Sequence, residues 1–417
     1  MADGSRASVT VSPSAIRRLP SKILLVRRLL LVLLFACSAF AGTLKENVVS
    51  AADPQQTYTL FLPSSYDAAK KYPLLLIFDP RGRGTDAARV FADAAEEYGW
   101  ILISSNGTRS DETWEPNEHA IRALWPERSR YAIDAHRLYA TGFSGTAMAA
   151  WLLGIQTGAL AGVIGVGGRL VDEVPPPQFS FAHYGFSGDT DFNNREMRAI
   201  DAILEREGKP HRFQSFAGPH SWPPPELARD AFGWFELIAM KEQRRPRDEA
   251  LIAKLYDRDL ASAKTLRQFR DVLETFDGLR NVDEVRATVA KLERDPGVQR
   301  EQQEQEKWDA WEARYVAETL GRIPQIFGAL RQEERANATA RLMRELRIEE
   351  LERRAARSGA EGAAGRRILE MVHGQMAFYL PRQFRDRGET RFETAVLAVA
   401  AEIQRASDAL AKTKRLE

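Results

Sequence analysis

The sequence predicts an α/β protein whose doubly wound, mostly parallel sheet is followed by an all-helical extension. Between residues 57 and 240, short apolar runs alternate with segments of helical spacing, which is typical of βαβ units. The run at residues 74–78 is continuously apolar, as expected for a strand buried on both faces. Beyond about residue 245 no strand pattern appears, and apolar residues recur at helical spacing.

The predicted elements follow in order along the chain. Strands are expected at residues 57–62, 74–78, 100–104, 137–141, 161–166, 181–185 and 211–216, and helices at residues 85–97, 146–154, 194–207 and 225–240. The polar, basic run at residues 241–247 contains a proline and is typical of a linker. We therefore predict a signal peptide over residues 1–41, a sheet-containing domain over residues 42–242 and a helical domain over residues 243–417.

The helical part is charged throughout. Turn signals at residues 276–278, 295–297 and 358–365, and at Pro381, divide it into several helices. A tetratricopeptide-like array of helix-turn-helix units is one interpretation, although no repeat aligns convincingly. Residues 299–321 are rich in Glu, Gln and Lys, which is more typical of a solvated helix than of a binding site. Binding of a protein partner is one candidate role for this extension.

The first forty residues have the three parts of a secretory signal. Basic residues between Arg17 and Arg28 precede an apolar run at residues 29–37, and Ala39 and Ala41 fit an A-x-A cleavage site. The run is shorter than the about 20 apolar residues of a membrane span. We therefore expect an exported protein, periplasmic or secreted, with no transmembrane span in the mature chain. An uncleaved amphipathic anchor is the alternative interpretation.

Charge and cysteine content exclude several classes of function. The formal net charge is +1 and the pI is about 7.8, which gives no electrostatic reason to expect nucleic acid or a charged membrane surface as a partner.

Cys37 is the only cysteine, so a mature chain cut after Ala41 has no disulfide, thiolate metal site or cysteine nucleophile. A lipoprotein modified at Cys37 ranks second to secretion. No H-E-x-x-H, paired-cysteine or phosphate-loop pattern occurs, so we expect neither a metal nor a cofactor.

The clearest chemical signal lies at residues 137–147, where a predicted strand ends in Gly-x-Ser-Gly-Thr and a helix begins at once. Such a turn holds the serine hydroxyl above the sheet edge, near the free N–H groups of the helix N-terminus. Ser144 is therefore the candidate nucleophile. Thr146 stands where the G-x-S-x-G pattern has its second glycine. The alternative is that Ser144 only caps the helix that follows.

Chain order selects the candidate base, because nucleophile, acid and base follow one another in hydrolases with this turn. His183 and His211 fall in predicted strands, and His373 falls in the helical extension. His220 instead follows the last predicted strand, in a loop that can carry the ring to the carboxyl edge of the sheet. We therefore predict that His220 is the base. The alternative is an exposed loop histidine without a catalytic role.

Two aspartates follow Gly188 and could serve the base. Either Asp189 or Asp191 could orient the imidazole and stabilise its cation. We prefer Asp191, because its side chain lies further from the strand end and can reach toward the loop that carries His220. The alternative is that both aspartates only form a turn.

Two backbone N–H groups are expected to stabilise an oxyanion. One belongs to Gly145, directly after the candidate nucleophile, and the other to the loop after the strand at residues 74–78. Pro80 has no N–H, so Arg81 is the candidate in that loop. The alternative is that residues 79–84 form a simple Pro/Gly turn.

These motifs together resemble the secreted esterase branch of the α/β-hydrolase superfamily, near feruloyl esterases and polyhydroxybutyrate depolymerases. That branch shares a strand followed by a TG.S.GG elbow and a late GH.WP loop. The resemblance covers about residues 55–240 and is carried by residues 73–84, 137–147, 188–191 and 218–223. It implies hydrolysis of a small-molecule or polymer ester through an acyl-enzyme, without a metal, with Ser144, Asp191 and His220 in the matching positions.

Three departures from the family pattern bear on activity. Asp79 and Pro80 replace the usual His-Gly of the oxyanion loop, Thr146 replaces a glycine, and Pro219 intervenes before His220. The favoured function is that of an exported carboxylic-ester hydrolase. One alternative is a weak or inactive hydrolase-fold protein whose helical extension binds a partner. Another acyl substrate, such as a thioester or a peptide, is the third candidate.

Overall fold

The computed structural model describes residues 42–110, 113–168, 180–330 and 335–414. The predicted signal segment at residues 1–41 lies outside the described residues. The described residues from Thr43 onward form one compact unit.

An eight-stranded sheet forms the centre of the first half of the chain, in the order β1-β2-β4-β3-β5-β6-β7-β8. β1 and β2 pair antiparallel, as do β2 and β4, whereas the pairs from β4 through β3 to β8 are parallel. The strands are β1 (Thr43–Val49), β2 (Thr57–Leu62), β3 (Tyr72–Phe78), β4 (Ile101–Ser105), β5 (Ile133–Phe143), β6 (Gly162–Val166), β7 (Ala182–Gly188) and β8 (His211–Phe216). The predicted mostly parallel sheet is therefore confirmed.

Helices cover both faces of this sheet, so β3, β4 and β6 are buried along their whole length. Successive residues of β3 enter different cores. Leu74 and Leu76 pack with one set of helices, whereas Leu75 and Ile77 pack with the other. The first set is α2 (Glu115–Leu124), α3 (Ala147–Thr157) and α4 (Asn194–Arg206), and the second is α1 (Gly84–Tyr98) and α5 (Pro225–Lys241).

Two elements of the sheet domain were not predicted, and each has a physical reason. β1 is an edge strand whose sequence is mostly polar and exposed, so it shows no apolar run. α2 is short and charged and has a proline, Pro116, in its first turn, so its helical period is weak.

The chain after α5 is helical, as predicted, and the part that the structure describes there contains no strand. None of the helices in the described ranges is long and apolar enough to cross a membrane. The helices are α6 (Glu249–Ser262), α7 (Leu266–Phe276), α8 (Asp283–Glu293), α9 (Pro296–Glu318), α10 (Ile323–Leu330), α11 (Arg335–Glu345), α12 (Ile348–Ala355), α13 (Gly359–Gly374), α14 (Leu380–Asp386) and α15 (Thr390–Lys414).

The first of these helices share a core with the sheet domain. Leu237 and Met240 of α5 belong to one apolar cluster with side chains of α6 and α7. The indole N–H of Trp234 in α5 also donates to the hydroxyl of Thr275 in α7, at 3.2 Å. A separate cluster begins at Tyr315 and holds the later helices together. The domain boundary near residue 242 stays a prediction. A cut there would expose the apolar side chains of α5 that pack against α6 and α7.

The later helices contact the sheet domain through ion pairs. Arg198 of α4 forms two hydrogen bonds with the carboxylate of Asp309 in α9, at 2.5 and 2.7 Å. Such a bidentate pair fixes the relative orientation of the two side chains as well as the distance between them. α9 is therefore held against the helix that follows β7.

Truncated fragments of the chain test whether the domain boundary lies near residue 242. We expect a fragment of residues 43–245 to be less stable than a fragment of residues 43–294. The shorter fragment exposes Leu237 and Met240, and burial of such a side chain contributes roughly 1.5–3 kcal/mol. Urea unfolding of the two fragments measures the difference. Equal stabilities would support a boundary near residue 242 and contradict a structural role for α6 and α7.

Candidate active site

Ser144 lies in a strained turn between β5 and α3. Its φ is +56°, a left-handed conformation that costs energy for any residue other than glycine. A single turn of 3₁₀-helix over Ser144–Thr146 leads directly into α3. Glycine is required at position 142, because an added Cβ would lie 2.1 Å from the carbonyl oxygen of Thr146. The predicted nucleophile elbow geometry is therefore present.

Thr146, the departure from the second glycine, has a structural role. Its side chain is buried, and its hydroxyl donates to the carbonyl of Phe78 at the end of β3, at 2.6 Å. The same hydroxyl oxygen accepts from the N–H of Phe143 at 3.3 Å. The larger side chain therefore joins the elbow to the neighbouring strand.

The structure brings the three predicted catalytic side chains together at the carboxyl edge of the sheet. His220 Nε2 lies 2.9 Å from Ser144 Oγ, and His220 Nδ1 lies 2.9 Å from Asp191 Oδ1. The Asp191 side chain is fully buried, whereas that of His220 is 15% exposed. Part of the imidazole ring is therefore accessible to solvent, whereas the carboxylate is not.

The two aspartates after Gly188 have different partners. Asp191 Oδ1 contacts His220 and also accepts from the N–H of Asn193 at 2.8 Å. Asp189 Oδ1 instead accepts from the N–H of Gly218 at 3.0 Å. Asp189 thus contacts the start of the loop that carries the histidine, and Asp191 contacts the ring itself. The assignment of Asp191 as the acid stays a prediction.

Gly167 follows β6 and lies against the acid and the base. Its φ is +48°, and a Cβ there would lie 2.5 Å from Asp191 Oδ2 and 3.2 Å from His220 Nδ1. Only glycine leaves room for both side chains. The sequence showed a glycine pair after the strand at residues 161–166, but this packing depends on two distant loops and could not be inferred from it.

Aromatic rings hold the imidazole of His220 in place. The ring of Phe192 lies 4.2 Å from that of His220, and the ring of Phe143 lies 4.5 Å from it, between centroids. Trp222 packs against Phe143 in turn, at 5.5 Å. The ring therefore has little freedom to leave its hydrogen bonds with Ser144 and Asp191.

Asp79 joins the loop after β3 to the loop that carries His220. Its side chain is 1% exposed. One carboxylate oxygen accepts from the N–H groups of Arg81 and Arg83, at 2.8 and 3.0 Å, and the other accepts from the indole N–H of Trp222 at 3.0 Å. Because Trp222 lies two residues after His220, this carboxylate helps to place the base.

This arrangement corrects the prediction for Arg81. Its N–H was expected to face an oxyanion, but it donates to the carboxylate of Asp79, which lies two residues earlier in the same turn. The other predicted donor, the Gly145 N–H, lies in the first turn after the nucleophile, where helical N–H groups lack intrahelical acceptors. Gly145 itself is exposed.

The histidines that were set aside have other environments. His183 is buried in β7, and burial lowers its pKa to about 3, so the ring is neutral there. His211 Nδ1 lies 2.8 Å from the carbonyl of Lys209. His373 lies on α13, where its ring is 6.1 Å from that of Phe378. Within the described ranges, no group of three or more His, Cys, Asp or Glu side chains could hold a metal ion.

The helical extension reaches the loop that carries the acid. Arg367 of α13 donates to the carbonyl of Asp189 at 3.2 Å and pairs with Glu312 of α9, and both ionic side chains are buried. One helical turn further, burial raises the pKa of Glu370, while the imidazole of His220 acts to lower it. α13 therefore lies beside the triad, and no local sequence signal had indicated this.

No known family's sequence model matches the chain, and no curated protein matches it. Solved structures do match, and esterases and serine hydrolases are among them. A ferulic acid esterase is 16% identical over 48% of this chain and 100% of its own, with a TM-score of 0.39. The fluorophosphonate-binding serine hydrolase F of Staphylococcus aureus is 13% identical over 47% of this chain and 98% of its own, with a TM-score of 0.39. The ferulic acid esterase of the anaerobic fungus Anaeromyces mucronatus is 15% identical over 47% and 90%, with a TM-score of 0.38.

Paired substitutions separate the two aspartates. Asp191→Asn should lower turnover of a short aryl ester by roughly four orders of magnitude, because the carboxylate that orients the imidazole and stabilises its cation is lost. Asp189→Asn should cost less than about tenfold, because an amide oxygen can still accept from Gly218. Turnover and melting temperature of the two purified variants are compared. An inactive Asp189→Asn beside a nearly normal Asp191→Asn would reverse the assignment.

A second pair tests the bridge made by Asp79. Asp79→Asn turns an amide donor toward either a backbone N–H or the indole N–H of Trp222, and a buried unsatisfied donor costs about 1–3 kcal/mol. We expect lower stability in urea and lower turnover. Trp222→Phe keeps an aromatic ring and leaves the contacts with Arg81 and Arg83 in place, but it removes the indole N–H and part of the ring volume. It should therefore lower stability and turnover through the link to the histidine loop alone. Normal stability and turnover of Asp79→Asn would refute the role of this carboxylate.

Proposed function

We propose that this chain is an exported serine hydrolase that cleaves a carboxylic ester through an acyl-enzyme. Ser144 is the nucleophile, His220 the general base and acid, and Asp191 the carboxylate that orients it. The observation that supports this most directly is the hydrogen-bonded series from Ser144 Oγ through both ring nitrogens of His220 to Asp191, with two contacts of 2.9 Å.

The first half-reaction transfers the acyl group to the enzyme. Ser144 Oγ attacks the ester carbonyl carbon, its proton passes to His220 Nε2, and the carbonyl electron pair moves onto oxygen. Asp191 accepts from Nδ1–H and stabilises the imidazolium. When the carbonyl forms again, the bond to the alcohol oxygen breaks, and the alcohol leaves with the proton from His220. Water then repeats the sequence, and the carboxylic acid leaves.

The proposed substrate class and the proposed cellular location are supported by different observations. The elbow and the late histidine loop resemble those of secreted esterases, which favours a small-molecule or polymer ester. The basic, apolar and small-residue segments at residues 1–41 favour export to the periplasm or the medium. The catalytic roles require no metal or cofactor, because each proton transfer has a side chain within hydrogen-bond distance.

A second candidate function has one specific observation in its favour. The Arg81 N–H donates to Asp79 and is not directed at an oxyanion, which favours a weak or inactive hydrolase-fold protein whose helical extension binds a partner. The two candidates differ in one measurable property, the reactivity of Ser144 toward an acylating or phosphonylating reagent.

Ser144→Ala tests the proposal. The intact chain should react with a fluorophosphonate probe at Ser144 and hydrolyse a short aryl ester. The variant should lose the label and roughly a thousandfold or more of turnover. Ser129→Ala is the matched control, because Ser129 is exposed and its hydroxyl only donates to the carbonyl of Pro126. A wild-type chain that does not react would favour the second candidate, and persistent labelling of Ser144→Ala would exclude Ser144 as the nucleophile.

A further inference from the structure

One peptide group in the turn after β7 is held by two distant parts of the chain. This group joins Asp189 to Thr190, directly before Asp191. Its N–H, that of Thr190, donates to the carbonyl of Gly218 in the histidine loop at 3.1 Å. Its carbonyl, that of Asp189, accepts from Arg367 of α13 at 3.2 Å. Because a peptide group is planar, the two hydrogen bonds together fix the direction in which the chain enters Asp191.

The turn after β7 leaves little tolerance for a change in this direction. The N–H of Asp191 donates to the carbonyl of Gly188 at 3.1 Å, and the Asp191 carboxylate is fully buried, 2.9 Å from His220 Nδ1. A Cβ on Gly188 would lie 2.2 Å from the carbonyl oxygen of Gly218, so the turn and the histidine loop are in close contact. Rotation of the peptide group before Asp191 would move the carboxylate relative to the imidazole, and a misplacement of about 1 Å can lower a rate roughly a hundredfold.

Arg367 is a charged residue on the buried face of α13. Its Nε and one terminal nitrogen pair with the carboxylate of Glu312, and the other terminal nitrogen reaches the carbonyl of Asp189. A buried ion pair is often no more stable than apolar side chains of similar volume, so stability alone gives no reason for an arginine here. A guanidinium can pair with a carboxylate and donate to a further group at the same time, because its N–H groups point in fixed, different directions.

We propose that Arg367 is a positioning residue for the catalytic acid. It orients the peptide group before Asp191 and thereby directs the carboxylate toward His220. Glu312 holds the guanidinium in the position from which it reaches this peptide group. The helical extension then contributes to turnover without touching the substrate, and no bond forms or breaks at Arg367. This inference rests on the proposed serine-hydrolase function of Ser144.

The test is the double substitution Arg367→Met with Glu312→Leu in the full chain, because it removes the hydrogen bond and leaves no buried charge unpaired. We expect kcat for a short aryl ester to fall at least about tenfold, with KM changed less than about threefold. The matched control is Arg198→Met with Asp309→Leu, which removes an ion pair between α9 and α4 but leaves the hydrogen bond to the Asp189 carbonyl in place. Its kcat should change less than about threefold.

The variant Asp191→Asn separates positioning of the acid from a general structural role. If Arg367 acts through Asp191, the double substitution at Arg367 and Glu312 should lower the residual turnover of Asp191→Asn less than about twofold, because the carboxylate that it orients is already absent. A general loosening of the site would lower turnover by the same factor in both backgrounds.

Arg367→Lys is a second variant that keeps a positive charge beside Glu312. Its single nitrogen, on a shorter side chain, cannot pair with Glu312 and also reach the carbonyl of Asp189, so kcat should again fall at least about tenfold. Melting temperatures of all variants show whether they fold as the wild type does.

A lower kcat in the wild-type background, with no further loss in Asp191→Asn, supports Arg367 as the positioning residue. Unchanged kcat in both Arg367 variants refutes it, and so does an equal loss in the two backgrounds. Labelling by a fluorophosphonate keeps the two proposals distinguishable. If wild-type Ser144 does not react, the proposed function fails and the role of Arg367 fails with it, whereas a reactive Ser144 with fully active Arg367 variants refutes this inference alone.

Discussion

The carboxylate of Asp79 is the contact on which the arrangement of the site depends. A buried carboxylate is stable only when its oxygens are hydrogen-bonded, and Asp79 meets this condition with the N–H groups of two different loops. One is its own turn after β3, and the other carries Trp222 and, two residues earlier, His220. The same carboxylate that holds the loop of His220 also accepts from the Arg81 N–H. One buried side chain thus links the position of His220 to the hydrogen bonding of the loop after β3.

The sequence predicted the parts of the site that depend on local chemistry and chain order. The elbow at Ser144 follows from a strand, two glycines and a helix, and His220 follows from its place after the last strand. The partner of the Arg81 N–H could not be predicted, because it depends on which way the side chain of Asp79 turns in three dimensions. Gly167 was missed for a similar reason, since its contacts come from loops far apart in the chain.

The helical extension is a structural neighbour of the triad. Arg367 and Glu312 form a buried ion pair. Such a pair adds little net stability, but replacing one partner is strongly destabilising because the other charge is left buried and unpaired. Here it leaves one guanidinium nitrogen for the carbonyl of Asp189, in the turn that also carries Asp191. The composition of α9, rich in Glu and Gln, had favoured a solvated helix, and most of its residues are indeed exposed. The few buried ones supply the contact with the sheet domain.

The position of Asp191 requires a glycine at residue 167, and this limits which substitutions the sequence can accept there. A side chain there would meet two independent penalties, a left-handed backbone and an overlap with Asp191 Oδ2 at 2.5 Å. Neither can be relieved by a neighbour that gives way, because Asp191 is itself held by His220 and Asn193. Glycine at this position is therefore a criterion for comparing related chains. A chain that keeps the serine, the histidine and the aspartate but carries a larger residue at position 167 has no space for the aspartate side chain in the position described here.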